Sequence, residues 1–280
     1  MIQPGKFNTL VAVRFTSVGA FLAESEDADY EEAILLPNKY VPDELRNGDE
    51  IRVFVYTDSE DRPIATTLTP RIQRNEFAYL QCVSVTSYGA FLDWGLEKDL
   101  LVPFREQNRR MEVGRRYVVF LYLDHETQRL VASAKINRFL DVGAPNLQED
   151  QEVTLLAYEP TDLGMNTIVD NRYRGLLYTN EMFRRVYVGD RLTGYVKRIR
   201  EDDRIDVTLQ KPGFANIESG AGLILTKLKD RGGFLPLTDD SEPEEIYQTL
   251  GMSKKTFKRA VGTLYRERKI TIESNGIRIV

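Results

Sequence analysis

A repeat with an offset of 70 residues constrains the fold of this chain more than any other feature of its sequence. Residues 13–22 read VRFTSVGAFL and residues 83–92 read VSVTSYGAFL, so both contain T-S-x-G-A-F-L. A weaker copy, EPTDLGMNTI, stands at 159–168. Matching strings follow each copy in the same order, first AILLP, LLVPF and GLLYTNE, then GDEIRVFVY, GRRYVVFLY and GDRLTGYVK. The chain therefore contains three related units.

Each unit is predicted to be a small β-barrel. Short runs rich in Val, Tyr, Phe, Ile and Thr are separated by turn residues, which is typical of strands and not of helices. Five such strands in about 70 residues fit a five-stranded OB-fold barrel. Gly19, Gly89 and Gly164 fall inside a strand pattern, where glycine indicates a bulge or a sharp bend.

After the third unit, the apolar spacing changes from that of strands to that of helices. Residues 220–230 space their apolar side chains like the buried face of a helix. A second helix is predicted to start near Pro243, with Ser241 as its candidate N-cap, and to end at Gly251. Both helices are short enough to belong to one small domain.

The segment that follows, SKKTFKRAVGTLYRERK, predicts a basic third helix with Ser253 as its N-cap. The last residues, ITIESNGIRIV, are typical of a strand, an Asn-Gly turn and a second strand. Three helices followed by a hairpin predict a winged helix. Its third helix is expected to bury Phe257, Val261 and Leu264 and to expose four basic residues, Lys254, Lys255, Lys258 and Arg259.

The predicted fold class is therefore mainly β with a C-terminal α+β module. The predicted domains are three OB-fold barrels at residues 1–70, 71–140 and 141–213 and a winged helix at 214–280. Their charges differ although the whole chain carries a formal net charge of only −5. Residues 1–70 contain 6 basic and 13 acidic side chains, whereas residues 253–269 contain 7 basic and 1 acidic. Because phosphate backbones attract Lys and Arg, the C-terminal helix favours nucleic acid and the first barrel does not.

Composition predicts a cytoplasmic protein that is not an enzyme. Cys82 is the only cysteine, which excludes an intrachain disulfide and fits a reducing compartment. No apolar stretch approaches the ~20 residues of a membrane span, and the N-terminal residues lack the pattern of a secretory signal. The only histidine, His125, lies in a predicted hairpin tip, and no phosphate-cradling glycine motif is present. We therefore expect no catalytic residue, no metal site and no cofactor.

The second repeat resembles an S1 domain, the RNA-binding OB-fold module of the ribosomal protein of that name. Its string YGAFL matches the aromatic-Gly-Ala-Phe-Val strand of that family, and an Asp and an Arg follow at the family's spacing. The resemblance implies one surface that holds single-stranded RNA, formed by Tyr88, Phe91, Asp124 and Arg129. From the residues alone, Phe91 could equally pack in the core, Asp124 and Arg129 could pair with each other, and Trp94 could lie at the barrel rim.

The other repeats depart from this pattern. Where the S1 family has a histidine, the aligned strings give Leu36, Val102 and Tyr178. Repeat 1 has Val18 in place of the first aromatic and an acidic loop, so we expect it to have lost the binding function. In repeat 3, Leu163 and Asn166 replace both aromatics. That repeat is expected to contribute Tyr178 and several cations instead, Lys197, Arg198 and Arg204, with Arg200 nearby.

The C-terminal segment GGFLPLTDDSEPEEIYQTLGMSKKTFKRAVGTLYRERKI resembles the winged helix of the conserved virulence factor B family of bacteria. That resemblance implies S1-type domains followed by this module, RNA binding, an effect on gene expression and no enzymatic reaction. The expected partner is single-stranded RNA, with duplex nucleic acid contacted through the winged helix. Two alternatives stay open, a DNA-binding transcription regulator and a protein-docking scaffold on the ribosome or the polymerase.

Overall fold

The computed structural model forms two compact units, Met1–Phe139 and Leu140–Val280. Two five-stranded barrels make up the first unit, and a third barrel and a helical domain make up the second. The predicted boundary at residues 213 and 214 lies outside the described part of the chain. The structure describes residues 1–28, 33–142, 146–182, 184–210 and 217–280.

Barrel 1 is closed by its strand order β1-β2-β3-β5-β4, in which only β3 and β5 run parallel. Alternate residues of each strand point inward, so that Leu10, Leu22, Leu36, Val53 and Val55 form its core. The strands are β1 (Phe7–Phe15), β2 (Gly19–Ala23), β3 (Ile34–Pro37), β4 (Glu50–Thr57) and β5 (Pro63–Thr66).

Barrels 2 and 3 repeat this topology. Barrel 3 is closed, and barrel 2 is nearly closed, with the order β10-β9-β6-β7-β8. Three five-stranded barrels of the OB type are therefore confirmed. Barrel 2 comprises β6 (Phe77–Val85), β7 (Gly89–Asp93), β8 (Leu100–Pro103), β9 (Arg116–Leu123) and β10 (Leu130–Ser133). Barrel 3 comprises β11 (Glu152–Thr161), β12 (Gly164–Val169), β13 (Tyr173–Tyr178), β14 (Arg191–Ile199) and β15 (Ile205–Thr208).

The repeated glycines permit close contact between two strands. A Cβ atom on Gly19, Gly89 or Gly164 would lie only 2.1 to 2.3 Å from a carbonyl oxygen of the neighbouring strand. Of the bulge or sharp bend expected at these glycines, the bulge lies elsewhere, in the long first strand of each barrel. In barrel 2 the register shifts between Cys82 and Ser84. Only glycine fits here because any side chain would push β2, β7 or β12 away from its neighbour.

Barrels 1 and 2 share an apolar junction. Phe54 and Tyr56 project from β4 away from the core of barrel 1 and pack with Trp94 of barrel 2. The ring of Trp94 meets both edge-on, with centroid distances of 5.8 Å to Phe54 and 6.2 Å to Tyr56. Its indole Nε1 donates a hydrogen bond to the carbonyl oxygen of Lys98. Trp94 is only 3% exposed, so it belongs to this junction and not to the barrel rim.

The C-terminal domain is a winged helix, as predicted. Its three-stranded sheet has the order β16-β18-β17, and Phe257, Val261 and Leu264 are buried in its core. The elements are α1 (Ile217–Asp230), β16 (Phe234–Leu235), α2 (Pro243–Leu250), α3 (Lys254–Arg266), β17 (Ile270–Glu273) and β18 (Gly276–Ile279). In the described residues, no helix has the length and apolarity that crossing a membrane requires.

Two local predictions for this domain are wrong and two are confirmed. Ser241 does not cap α2, because its Oγ accepts a hydrogen bond from the Thr238 amide in the preceding turn, and Glu242 occupies the N-cap position. Glu273 pairs with Gly276, so Ser274 and Asn275 form the hairpin turn, and the predicted Asn-Gly turn does not form.

The confirmed predictions concern the two ends of neighbouring helices. Gly251 ends α2 with a left-handed φ of 65°, a conformation that glycine adopts at little cost. Ser253 caps α3, since its Oγ accepts a 3.0 Å hydrogen bond from the Thr256 amide. Only one residue, Met252, separates the two caps, so α2 and α3 join in a tight turn.

Candidate nucleic-acid interface

Two aromatic rings lie on the outer surface of barrel 2. Tyr88 precedes Gly89 in the turn between β6 and β7, and its side chain is 76% exposed. Phe91 is partly exposed, whereas its neighbours Ala90 and Leu92 are fully buried, so Phe91 points away from the barrel core. The alternative of a core position for Phe91 is therefore excluded.

The strand register corrects the position assigned to the S1 histidine. Tyr178 pairs with Gly164, and the residues that pair with the equivalent glycines in barrels 1 and 2 are Pro37 and Pro103. The residues assigned from the sequence strings, Leu36 and Val102, lie one position earlier and are fully buried. The predicted alignment of AILLP and LLVPF with GLLYTNE was therefore wrong by one residue. In a strand, a shift of one residue replaces an outward-facing side chain with an inward-facing one.

Asp124 and Arg129 do not form a side-chain pair with each other. Asp124 is mostly buried, and its carboxylate accepts hydrogen bonds from Arg105 Nη2 at 3.0 Å and from the Glu126 amide at 3.0 Å. Arg129 reaches across the junction and pairs with Asp61 of barrel 1. One hydrogen bond uses a single donor of a guanidinium that has five, and the side chain stays 52% exposed. Arg129 therefore keeps donors for a phosphate.

In the corresponding hairpin of barrel 1, the equivalent aspartate and arginine do pair with each other. Arg62 Nη2 bonds to Asp58 at 2.7 Å within the same hairpin. Burial raises the pKa of Asp58, but the hydrogen bonds from Arg62 and from backbone amides outweigh it and hold that pKa below its usual value. Arg62 therefore pairs with the aspartate of its own hairpin, and the reduced role of barrel 1 in binding stays a prediction.

In barrel 3, the structure brings Tyr178 together with a cation. Arg200 Nη2 donates to the Tyr178 hydroxyl, and the same guanidinium bonds to Asp206 at 2.6 and 2.8 Å. Lys197 pairs with Glu181, so its charge is compensated. The other two predicted cations are more available, since Arg204 makes only an exposed 3.4 Å pair with Asp202, and exposed Arg198 has no side-chain partner within the described residues.

The basic residues of the winged helix share the outer side of α3. Lys255, Lys258 and Arg259 are exposed and Lys254 is partly exposed. Lys258 lies 3.6 Å from Asp239, and both of these side chains are exposed. Exposed pairs of this kind contribute little to stability and compete weakly with a ligand. This side of α3 therefore presents positive charge to solvent.

An arginine surface on barrel 2 was missed by the sequence analysis. It is formed by residues that follow β8 and residues that follow β10. Two hydrogen bonds join these segments: Asn108 donates to the Ala134 carbonyl oxygen, and the Ala134 amide donates to the Glu106 carbonyl oxygen. Arg110 stacks over the ring of Phe104 at 3.8 Å. The string FREQNRR was the available signal, but the balance of 11 basic and 11 acidic residues over 71–150 concealed it. Two of its cations pair with buried carboxylates, Arg105 with Asp124 and Arg138 with Glu106. We call this region the barrel 2 arginine surface: Arg105, Arg109, Arg110, Lys135 and Arg138.

The arginine surface begins beside the turn that carries Tyr88. Pro103 pairs with Gly89, and Phe104 and Arg105 follow Pro103 directly, so they lie beside the turn that carries Tyr88. Aromatic rings next to cations form the usual platform for single-stranded nucleic acid. In the described part of the chain, no three His, Cys, Asp or Glu side chains come together as they would to hold a metal ion.

Comparison with known proteins identifies the domains. Residues 4–68 and 76–135 match the S1 domain, and residues 222–279 match the CvfB-like winged helix domain. The chain carries S1 domains and a CvfB-like winged helix. Both are nucleic-acid-binding families and not enzyme families, and the resemblance to the conserved virulence factor B family is confirmed.

The similarity to relatives extends over most of the chain. The protein named uncharacterized protein YitL of Bacillus subtilis is 29% identical over 281 residues, covering 98% of this chain and 92% of its own length. Conserved virulence factor B of Staphylococcus saprophyticus is 25% identical over 242 residues, covering 84% and 81%. A crystal structure of a multidomain protein with nucleic acid binding domains from Streptococcus pneumoniae aligns with a TM-score of 0.42 at 24% identity, covering 99% and 98%.

Proposed function

We propose that this protein binds single-stranded RNA and thereby regulates gene expression. The observation that carries the proposal is the outer surface of barrel 2, where Tyr88 is 76% exposed and Phe91 partly exposed beside an arginine surface. Unpaired bases stack on aromatic rings, and their phosphates pair with arginine. A duplex hides its base faces, so this surface favours a single strand.

The expected affinity of barrel 2 alone is modest. Stacking contributes ~1 to 3 kcal/mol per base, and two rings engage two or three bases. The cations of barrel 3 and α3 would bind other phosphates of the same strand, and tethered sites raise the overall affinity ~100-fold or more when one strand reaches both. We propose that the residues expected from the sequence form the interface: Tyr88, Phe91, Asp124 and Arg129 in barrel 2, Tyr178, Lys197, Arg198 and Arg204 in barrel 3, and Lys254, Lys255, Lys258 and Arg259 in α3. Buried Asp124 would act by holding Arg105 in place, and Lys197 would exchange Glu181 for a phosphate.

The test is fluorescence anisotropy of the full chain with a short unstructured RNA. Tyr88→Ala is expected to weaken binding about 5- to 100-fold, because one stacked base is lost. Tyr187→Ala is the matched control, since Tyr187 is 61% exposed in barrel 3 and lies outside all the proposed contacts. Equal affinity of Tyr88→Ala and wild type would contradict a stacking role for barrel 2.

A second candidate function is favoured by α3, whose exposed Lys255, Lys258 and Arg259 suit the groove of duplex DNA. If this domain is the main binding element, duplex DNA will bind more tightly than single-stranded RNA. In that case replacing the three cations with alanine will abolish binding, while Tyr88→Ala will have no effect. Absence of binding to either nucleic acid would favour the protein-docking scaffold.

The regulatory role and the cytoplasmic location are proposals that depend on this binding. The single cysteine, Cys82, is buried and fits a reducing compartment. A regulator acting on RNA predicts that Tyr88→Ala, introduced into the chromosome, changes the same transcripts as deletion of the gene. Unchanged transcripts in the Tyr88→Ala strain, with binding lost in vitro, would separate RNA binding from regulation.

A further inference from the structure

Barrel 3 contains a cavity of about 320 Å³ on the outer surface of β12 and β13. The hairpin between β14 and β15 closes one side of it. Three guanidinium groups line the cavity, and two leucines form its apolar wall. We call it the arginine pocket: Leu163, Asn166, Arg174, Leu176, Arg200 and Arg204.

The pocket exists because barrel 3 lacks the aromatic ring of the other barrels. In the sheet, Asn166 stands opposite Glu159 of β11 and Leu176 of β13. Phe91 of barrel 2 and Phe21 of barrel 1 occupy the equivalent position in their strands. The Asn166 side chain is only 5% exposed, and its Nδ2 donates to Glu159 Oε2 at 2.9 Å. An amide tied down in this way leaves empty the space that a phenyl ring occupies elsewhere.

One cation of the pocket, Arg200, is held in place before any ligand binds, and the other two remain available to a ligand. Arg200 is fixed by Asp206 and by the Tyr178 hydroxyl, and its side chain is only 27% exposed. Asp206 lowers the mobility of Arg200 and uses only part of its five donors. Arg174 projects from β13 close enough to Tyr158 to interact with it electrostatically, and it forms no ion pair with a carboxylate among the described residues. Arg204 pairs with Asp202 at the exposed surface. Asp162 is the one carboxylate in the lining of the described cavity.

The charge and shape of the pocket suit a phosphate monoester better than an internal phosphodiester. A terminal phosphate carries about −1.5 to −2 charges at neutral pH and offers three oxygens to guanidinium groups, whereas a phosphodiester carries one charge. An internal phosphate also needs an open groove on both sides, because the strand continues in two directions. The volume is at the lower end of the ~300 to 1,000 Å³ typical of ligand sites, which favours one terminal nucleotide.

We propose that the arginine pocket of barrel 3 binds the terminal phosphate of an RNA strand. The inference rests on the proposed function, because it assigns barrel 3 to the end of the RNA strand that this protein binds. Leu163 and Leu176 would contact the sugar or base of the terminal nucleotide. The 5′ and 3′ phosphates share this chemistry, so the experiment must compare both ends.

The experiment measures binding of the full chain to RNAs that differ only at one end. Fluorescence anisotropy compares 5′-phosphate with 5′-hydroxyl RNA, and 3′-phosphate with 3′-hydroxyl RNA, each labelled at the opposite end. One phosphorylated end is expected to bind about tenfold more tightly than its hydroxyl form, as charged hydrogen bonds to arginine imply. Equal affinities at both ends would overturn the inference and leave RNA binding intact.

Two variants connect that preference to the pocket. Arg174→Ala is expected to abolish the preference, whereas Arg185→Ala should retain it, because Arg185 is an exposed arginine of the same barrel outside both the pocket and the proposed contacts. Arg174→Lys keeps the charge and should restore part of the preference, which separates a binding role from a folding defect. A preference that survives in Arg174→Ala would overturn the assignment to this pocket.

A separate measurement distinguishes failure of the pocket from failure of the proposed function. If wild type binds no RNA, the proposed function fails. Thermal stabilisation of the protein by uridine monophosphate, compared with uridine, then tests phosphate binding by the pocket independently of RNA binding. Stabilisation by the monophosphate only, lost in Arg174→Ala, supports a phosphate pocket. Equal effects of the two compounds would overturn it.

Discussion

Removal of the Phe54 ring is predicted to weaken the junction between barrels 1 and 2. Phe54 is fully buried although it projects away from the core of barrel 1. Its ring lies 5.5 Å from that of Phe7 and 5.8 Å from that of Trp94, both edge-on. The neighbours of Phe54 in β4, Val53 and Val55, point into barrel 1 and are untouched by its removal.

The size of the effect follows from this burial. A fully buried phenylalanine changed to alanine costs about 3 to 5 kcal/mol, because apolar contacts are lost and a cavity remains. In Phe54→Ala that loss falls on the contact between the barrels, so barrel 1 should separate from barrel 2 before its own core unfolds. Backbone amides of Met1–Phe139 at the junction should then exchange with solvent faster than those inside each barrel.

Urea unfolding followed by circular dichroism gives the free energy of unfolding, and hydrogen exchange with mass spectrometry locates the loss. Phe15→Ala is the matched control, since Phe15 belongs to the same barrel and is 41% exposed. Its effect should stay within about 0.5 kcal/mol. Similar free energies for Phe54→Ala and Phe15→Ala would refute an energetic role for the junction.

Three further predictions concern single side chains. Burial raises the pKa of Tyr56 to about 12, so its folded-state pKa exceeds the unfolded value. About 3 kcal/mol of stability that is present below pH ~10 should therefore disappear as the pH rises toward 12. In a titration followed by absorbance at 295 nm, Tyr56→Phe should lose the tyrosine signal that appears at the highest pH. Ser253→Ala should cost the winged helix about 1 kcal/mol in thermal unfolding, more than Ser241→Ala, and a larger loss in Ser241→Ala would contradict the capping geometry. The hydroxyl of Thr167 is buried without a hydrogen-bond partner in the described structure. Thr167→Val should therefore leave the free energy of unfolding in urea unchanged or raise it by up to ~1 kcal/mol. A decrease of more than ~1 kcal/mol would mean that the hydroxyl does form a hydrogen bond.

The fold was predictable because its signals are local. Alternating apolar residues, the repeated glycines and the Ser253 cap each depend on a few neighbouring residues. The assignment of Leu36 and Val102 failed for the opposite reason. Their strings align equally well one residue apart, and only pairing with β2 and β7 fixes which residue faces outward.

The candidate site was less predictable because its partners come from distant parts of the sequence. Arg129 pairs with Asp61, 68 residues earlier and in another barrel, so its environment depends on how two domains pack. Asp124 is held by Arg105, from a segment that the domain-wide charge count concealed. Ser241 could form either a cap or a turn with Thr238, and both use the same hydroxyl.

The position of Trp94 has a practical consequence. It is the only tryptophan among 280 residues, and it lies where barrel 1 meets barrel 2. Its emission therefore originates from a single place in the molecule. Separation of the barrels would let water reach the indole and shift that emission to longer wavelength, whereas changes confined to the winged helix would leave the spectrum unaltered. The native chain thus contains its own optical reporter of whether its first two domains are docked.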